Sequence, residues 1–139
     1  MYVPRTYLID TNIVSYIVRG ASPASRASLV SLKENEIACI SSITEAEILY
    51  GVAKKPSHNL QTALDGLLSK LRVLPWGREE AHAYGHLRAK LERLGKTLGN
   101  MDLLIASHAI SVDAVLVTND ESFSQVADLP GIVNWATDL

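Results

Sequence analysis

The 139-residue sequence has little of several features that would narrow its class at once. Its single cysteine, Cys39, lies in the apolar run 37–40, so an internal disulfide is excluded and a buried core thiol is predicted. No apolar run approaches the roughly 18 residues that a membrane span needs. The formal net charge is only −2, which neither indicates nor excludes a nucleic-acid ligand, because a local basic patch can suffice.

The chain also begins without the pattern of a secretory signal peptide, since residues 1–5 lead directly into an apolar stretch. With no membrane segment either, a soluble cytoplasmic protein is expected. The length predicts one domain over residues 1–139 with a core of its own.

Short apolar stretches alternate with helical patterns along the chain. The predicted strands are 7–9, 36–40, 72–74, 114–117 and 132–134, and the predicted helices are 12–19, 24–33, 42–54, 59–71, 79–94 and 102–112. Short strands that are apolar throughout are typical of a sheet buried on both faces. The pattern predicts an α/β fold with a mainly parallel central sheet of about five short strands flanked by helices.

Two of the predicted strands run into an aspartate, Asp10 after the first and Asp120 after the fourth. Ligands of an open parallel sheet bind beyond the carboxyl ends of the strands, so both carboxylates are expected at one edge. Close carboxylates repel each other, and a divalent cation would resolve that conflict. Each aspartate also has a structural alternative as a cap, Asp10 on the first helix and Asp120 on a turn before Phe123.

Helix 42–54 carries two acids with different expected roles. Its opening predicts a capping box, with Ser42 as the N-cap and Glu45 reaching back to the Ser42 amide. Glu47 instead shares a helix face with Ile43 and Tyr50. An acid on an apolar stripe costs free energy unless it is paired or binds a cation, so Glu47 is a candidate functional residue. The alternative is a solvated edge of the stripe.

Asp102 opens a helix that is apolar on nearly every face and should run through the core. Asn100 is its predicted N-cap. Favourable interaction with the helix dipole would be reason enough for an aspartate there. However, a core helix that starts at the edge predicted above would also bring Asp102 close to Asp10 and Asp120.

Several short sequence motifs follow one another along nearly the whole chain in the order known from one protein family. They are Leu8-Ile9-Asp10-Thr11-Asn12, the stretch 40–51, 73–76, 83–92, Gly99 with 102–106, 116–120 and Asn134-Trp135. Together they resemble the PIN-domain ribonucleases, and among these the VapC-type toxins of bacterial toxin–antitoxin pairs. The chain departs from the family in having Asn100-Met101 where Pro-Asn is often found, and in a shorter segment from 120 to 123.

The resemblance implies which residues act. The catalytic acids would be Asp10, Glu47, Asp102 and Asp120, with Asp10, Asp102 and Asp120 as metal ligands. Supporting residues would be Thr11, Asn12 and Thr118. The implied activity is a Mg²⁺- or Mn²⁺-dependent endoribonuclease that hydrolyses structured RNA, a tRNA or ribosomal RNA, with a metal-activated water. The implied partners are a small VapB-type antitoxin and a second copy in a homodimer, within a possible larger toxin–antitoxin complex.

Basic residues on helix 79–94 are the candidates for RNA contacts, namely Arg88, Lys90 and Arg93. The alternative is a solvated outer face with i, i+4 ion pairs such as Glu92 with Lys96. His82 and His86 have the spacing of a helical zinc pair, but no Glu adjoins His82 as in a metalloprotease motif.

Two other functional classes remain open from the residues. A phosphoaspartyl protein, a receiver or a phosphatase, also has an aspartate after its first strand. Asn12 stands where a phosphatase of that kind needs a second aspartate, and the third strand runs into Pro75-Trp76 instead of a phosphorylated aspartate. A PIN-like module that binds RNA or protein without cutting is the other alternative, and the retained four acids argue against it.

Overall fold

The computed structural model describes residues 4–139 of the chain. Within them, strands alternate with helices, as predicted. The strands are β1 (Arg5–Ile9), β2 (Glu36–Ser41), β3 (Arg72–Leu74), β4 (Val115–Val117) and β5 (Ile132–Val133). The helices are α1 (Thr11–Arg19), α2 (Pro23–Val30), α3 (Ser42–Lys54), α4 (His58–Leu68), α5 (Arg78–Arg93) and α6 (Asn100–Ser111), and a 3₁₀ helix spans Glu121–Gln125.

The five strands form one sheet in the order β3-β2-β1-β4-β5, and each described pair is parallel. The predicted α/β class and parallel sheet are therefore confirmed. The chain winds from β1 through β2 to β3 on one side and then returns to place β4 and β5 on the other. The order reverses between β1 and β4, and a parallel sheet opens a crevice at the carboxyl ends of such strands.

Apolar side chains cover the sheet on both faces, because successive residues of a strand point to opposite sides. Ile9 packs with Ile13 and Ile17 of α1 on one face, while Leu8 packs with Ile105 of α6 on the other. Cys39 is buried in this second cluster, which confirms the core thiol that its apolar run predicted.

The edge strands differ from the prediction that each strand is buried on both faces. Val73 of β3 and Ile132 of β5 are exposed, because each of these strands has a neighbour on one side only. Helix α2 ends at Val30 and α4 at Leu68, both three residues before their predicted ends. In each case the next residue, Ser31 or Ser69, is the C-cap of the helix.

No helix within residues 4–139 is both long and apolar enough to cross a membrane. The prediction that no signal peptide is present concerns the start of the chain, of which residues 1–3 lie outside the described part.

Candidate active site at the carboxyl edge of the sheet

Asp10 lies at the centre of the edge, between the end of β1 and the start of α1. Its backbone amide continues the β1–β4 ladder with a 2.9 Å bond to the carbonyl of Val117, and this fixes where the side chain starts. The carboxylate Oδ1 accepts a 2.8 Å bond from the Thr11 amide, and Oδ2 accepts a 2.9 Å bond from the Thr118 hydroxyl. Asp10 is thus the N-cap of α1, as the structural alternative predicted, and it is also a buried carboxylate at the strand end.

Burial raises the pKa of Asp10 above its ordinary value, while the Thr118 hydroxyl and the Thr11 amide act in the opposite direction. The negative charges of Asp120 and Glu47 raise it further. Asp10 is therefore a desolvated carboxylate whose two donors offset only part of the cost of its charge.

Thr118, buried directly after β4, connects Asp10 to Asp120. Its hydroxyl donates to Asp10 and accepts a 3.0 Å bond from the Asp120 amide. Asp120 Oδ1 in turn accepts a 2.9 Å bond from the Ser122 amide, which makes it the N-cap of the 3₁₀ helix. The cap predicted for Asp120 is present, and it leaves the carboxylate at the same edge as Asp10.

Glu47 reaches this edge from α3 through a threonine of α1. The Thr11 hydroxyl lies 2.8 Å from Glu47 Oε1 and 3.2 Å from the Thr44 hydroxyl. With one proton, Thr11 donates to the carboxylate and accepts from Thr44, so both hydroxyls are satisfied. Since the Thr11 amide also binds Asp10, Thr11 ties two of the predicted acids together.

The predicted capping box at the start of α3 is wrong. The N-cap is Ser41, whose hydroxyl accepts a 3.1 Å bond from the Ile43 amide, whereas the Ser42 hydroxyl accepts a bond from the Trp76 amide. Glu45 therefore lies one position too far along the helix to reach back to the cap. From the sequence, either of the two adjacent serines could be the N-cap of α3. The contact of Ser42 with the Trp76 amide leaves Ser41 as the N-cap.

Asp102 lies in the first turn of α6, which runs antiparallel to β4 and so begins at the carboxyl edge. The N-cap is Gly99, not the predicted Asn100, and no side-chain cap bond is formed there. Burial, as the larger cause, and the charges of Asp10, Asp120 and Glu47 together raise the pKa of Asp102 to about 6.

These electrostatic effects show that the four predicted acids face one shared region. However, no three His, Cys, Asp or Glu side chains within residues 4–139 are arranged closely enough to hold a metal ion as they stand. The donor set, carboxylate oxygens supported by hydroxyls, suits a hard cation such as Mg²⁺ in type and in charge. The residues fit such an ion by their chemistry and by their uncompensated repulsion, but they are not preassembled as a coordination shell.

The remaining predicted supporting residue, Asn12, is exposed beside Thr11 and Glu47 in a shallow cleft between α1 and α3. Sequence reasoning gave no role to Asn119, which directly precedes Asp120 and whose side-chain amide donates a 3.3 Å bond to the Tyr16 hydroxyl. The position of Asn119 between Thr118 and Asp120, directly after a predicted strand, could have indicated that it lies at the site.

Sequence reasoning also missed two buried polar residues behind the acids, Thr44 and His108. The fold places the Nδ1 of His108 2.8 Å from the Ser41 hydroxyl, a contact between residues 67 positions apart. Thr44 could have been found from its spacing, three residues before Glu47 on the same helix face.

The three predicted RNA-contact residues lie on the outer part of α5, and two of them already have partners. Arg88 contacts Glu92 at 3.3 Å and the Tyr84 hydroxyl at 3.0 Å, and Lys90 contacts Asp128 at 2.7 Å. The structural alternative of a solvated, paired face is therefore present, with Glu92 pairing to Arg88 instead of Lys96. Arg88 also lines a cleft that reaches the first turn of α6.

Comparison with known proteins identifies the family and agrees with the fold. The family pattern described as PIN domain matches residues 7–129. Ribonuclease VapC2 of Rickettsia felis is 40% identical over 131 residues, which cover 93% of this chain and 97% of that one. The tRNA(fMet)-specific endonuclease VapC of Shigella flexneri is 35% identical over 126 residues, covering 88% of this chain and 93% of the relative.

Two solved structures have the same fold. One is VapBC2 from Rickettsia felis bound to a DNA fragment from their promoter, with a TM-score of 0.87, 40% identity and 94% and 98% of the two chains covered. The other is DNA-bound VapBC from Salmonella typhimurium, with a TM-score of 0.80, 31% identity and the same coverage. The class defined by fold and site is the PIN domain. Within that class, the chain belongs to the VapC ribonuclease family.

Proposed function

We propose that this chain is the toxin of a toxin–antitoxin pair and that it cleaves cellular RNA with a divalent cation held at the carboxyl edge of the sheet. The observation that carries the proposal is the gathering of four acids at this edge, where burial and then the charges of Asp10, Asp120 and Glu47 raise the pKa of Asp102 to about 6. A fold has no structural need for this repulsion, whereas a cation would relieve it. Membership of the VapC ribonuclease family supports the same reaction.

Asp10, Asp102 and Asp120 are the proposed ligands, because each lies at the sheet edge, the charges of Asp10 and Asp120 act on Asp102, and the charge of Asp120 also acts on Asp10. When bound, Mg²⁺ or Mn²⁺ would lower the pKa of a water molecule and neutralise charge on the phosphate. Thr118 and Thr11 orient Asp10 from two sides. Thr11 also holds the Glu47 carboxylate by its hydroxyl, so Glu47 is placed to orient a water or to accept a proton.

The RNA would approach over α5 and the first turn of α6. The cleft lined by Arg88, Lys96 and Asn100 reaches the residues flanking Asp102, and its basic groups can pair with phosphates next to the cleaved bond. Arg88 is the first candidate, and Arg93 follows as a phosphate contact at the end of the helix. Lys90 ranks last because it is paired with Asp128 and, unlike Arg88, does not line this cleft.

The proposed partners are a VapB-type antitoxin and a second copy of the chain. Several structural relatives are VapBC complexes, which supports the antitoxin. A homodimer is supported by α3, whose Leu49 and Tyr50 are 46% and 66% exposed and whose buried residues are limited to Thr44 within the described chain. Exposed apolar side chains clustered on one helix are typical of an interface.

Incubation of the purified chain with initiator tRNA and, separately, with ribosomal RNA tests the proposal. We expect site-specific cleavage of one of them with Mg²⁺ or Mn²⁺, complete loss with EDTA, recovery on adding the metal in excess, and no cleavage by D10N. Metal-independent cleavage would contradict the metal site. Binding of RNA without any cleavage would favour the non-catalytic module, and acyl-phosphate formation on Asp10 would favour the phosphoaspartyl class.

A further inference from the structure

His108 is fully buried in α6, at 0% exposure, and makes a hydrogen bond that links two helices of the candidate site. Its Nδ1 lies 2.8 Å from the Ser41 hydroxyl, which is the N-cap of α3. Helix α6 begins next to Asp102, and α3 carries Glu47. One buried side-chain contact thus connects the elements that deliver two of the four acids.

Ser41 controls the start of α3, because its hydroxyl also accepts the bond from the Ile43 amide. Ser41, Thr44 and Glu47 follow one another at a spacing of three residues and so share a face of the helix. Thr44 is fully buried and contacts Thr11, which binds Glu47. A rotation of the first turn of α3 would therefore change the position of Glu47 relative to Asp10.

The other ring nitrogen of His108 supports a role beyond packing. Nε2 is buried and has no hydrogen-bond partner within the described chain. The nearby Glu80 is not its partner, and the two carboxylate oxygens accept bonds from the Gly77 amide and the Ser111 hydroxyl. An apolar side chain would fill this place without leaving a buried polar atom unpaired. What histidine adds here is its contact with Ser41.

The protonation of the ring is consistent with this contact. Burial lowers the pKa of His108 below its ordinary value, against the opposing effect of the Glu80 charge, so the ring is held in its neutral form. A neutral ring can accept the Ser41 proton at Nδ1 while Ser41 keeps the Ile43 amide bond.

We propose that His108 is a positioning residue, which fixes the first turn of α3 through Ser41 and thereby sets the place of Glu47 at the acidic edge. The inference rests on the proposed function, because it assumes that Glu47 acts in cleavage.

Two variants of nearly the same shape separate the contact from packing. H108N places an amide where Nδ1 stands, whereas H108L fills similar space without a polar atom. We expect H108L to lower kcat for RNA cleavage about tenfold, in line with the loss of a residue that orients a catalytic group, with little change in KM. H108N should recover most of that loss. S107A is the matched control, because Ser107 is equally buried but donates only to Leu103 of its own helix.

A double-mutant cycle with E47Q measures whether His108 acts through Glu47. H108L should add little to the loss caused by E47Q, whereas S107A should have the same small effect in both backgrounds. Hydrogen exchange of the Ile43 amide is a readout independent of cleavage, and we expect it to be faster in H108L than in H108N. If H108L does not fold, S41A removes the same contact from the other side, with S42A as its control.

The proposal is overturned if H108N is as impaired as H108L, if H108L lowers the E47Q activity by its full factor, or if Ile43 exchange is unchanged. An E47Q enzyme with full activity would overturn the role of Glu47 and the positioning through it, and this result is distinct because Ile43 exchange would still respond to H108L.

Discussion

Asp10 and Asp102 lie at the same edge of the sheet but in different surroundings. Asp10 is buried and accepts bonds from a backbone amide and from the Thr118 hydroxyl. Asp102 starts a helix without a side-chain cap, and burial and neighbouring charges act on it without an offsetting donor. The fold thus compensates the charge of one carboxylate and leaves the other to repulsion. This difference is what a site that becomes complete on binding a cation requires.

The largest expected effect is the loss of cleavage in D10N and in D102N. Each substitution keeps the shape of the side chain and removes a proposed ligand charge. Outer residues of a metal site typically account for 10–100-fold in activity, so we expect at least about a hundredfold loss for a ligand. Cleavage rates at saturating Mg²⁺ measure it, and wild-type rates in either variant would remove that residue from the site.

The sequence predicted this shared edge because strand ends and a helix start are local patterns. Asp10 and Asp120 follow apolar strands, and the apolar helix behind Asp102 has to pass through the core. The sequence could not rank the charges, since one of the two donors to Asp10 is the hydroxyl of Thr118, 108 positions away, and its approach depends on β1 pairing with β4.

Local capping was less predictable than the fold. The choice between Ser41 and Ser42 depends on Trp76 and His108, which reach α3 from other elements. The ion pair of Lys90 with Asp128 could not be predicted either, because Asp128 belongs to a loop 38 positions away in the sequence.

Glu47 and Glu45 extend the comparison to α3. Glu47 accepts a hydrogen bond from the Thr11 hydroxyl, whereas Glu45 does not have the capping role that the sequence predicted. E47Q should therefore lower cleavage at least tenfold, while E45Q should stay within about twofold of wild type, as expected of a substitution away from named interactions. Equal losses in both variants, at matched thermal stability, would refute the division between the two acids.

The T118V substitution tests whether Asp10, without the Thr118 donor, becomes an uncompensated carboxylate like Asp102. Valine has the shape of threonine but cannot donate to Asp10 or accept from the Asp120 amide. We expect roughly 1–3 kcal/mol lower stability and a rise in the pKa of Asp10. The acidic limb of the pH–rate profile should consequently move to higher pH. An unchanged profile would mean that Thr118 does not tune Asp10.

The smallest expected effect is on stability, where D102N should change the pH dependence of the free energy of unfolding in the absence of divalent metal. The folded pKa of Asp102, about 6, lies above its ordinary value of 3.8, so the folded state binds more protons between these pH values. Its contribution to the free energy of unfolding is therefore lost as pH rises through this window. Burial of neutral His108 contributes with the opposite slope, so the difference between wild type and D102N isolates Asp102.

Thermal unfolding at pH 4.5 and pH 7.5 measures that difference. We expect D102N to gain on wild type at the higher pH, and to gain more than D10N, in which an amide must replace a carboxylate that faces two donors. A D102N protein that is less stable than wild type at pH 7.5 would show that the Asp102 charge is compensated after all.

The most direct test is the titration of the Asp102 carboxyl carbon of the wild-type chain by NMR, with and without Mg²⁺ and in the absence of RNA. Without the metal, the account predicts a pKa of about 6. Saturating Mg²⁺ should lower that pKa well below its starting value, because a bound cation favours the ionised carboxylate. A carboxyl that titrates at the same pH in both conditions would contradict a cation site at this edge.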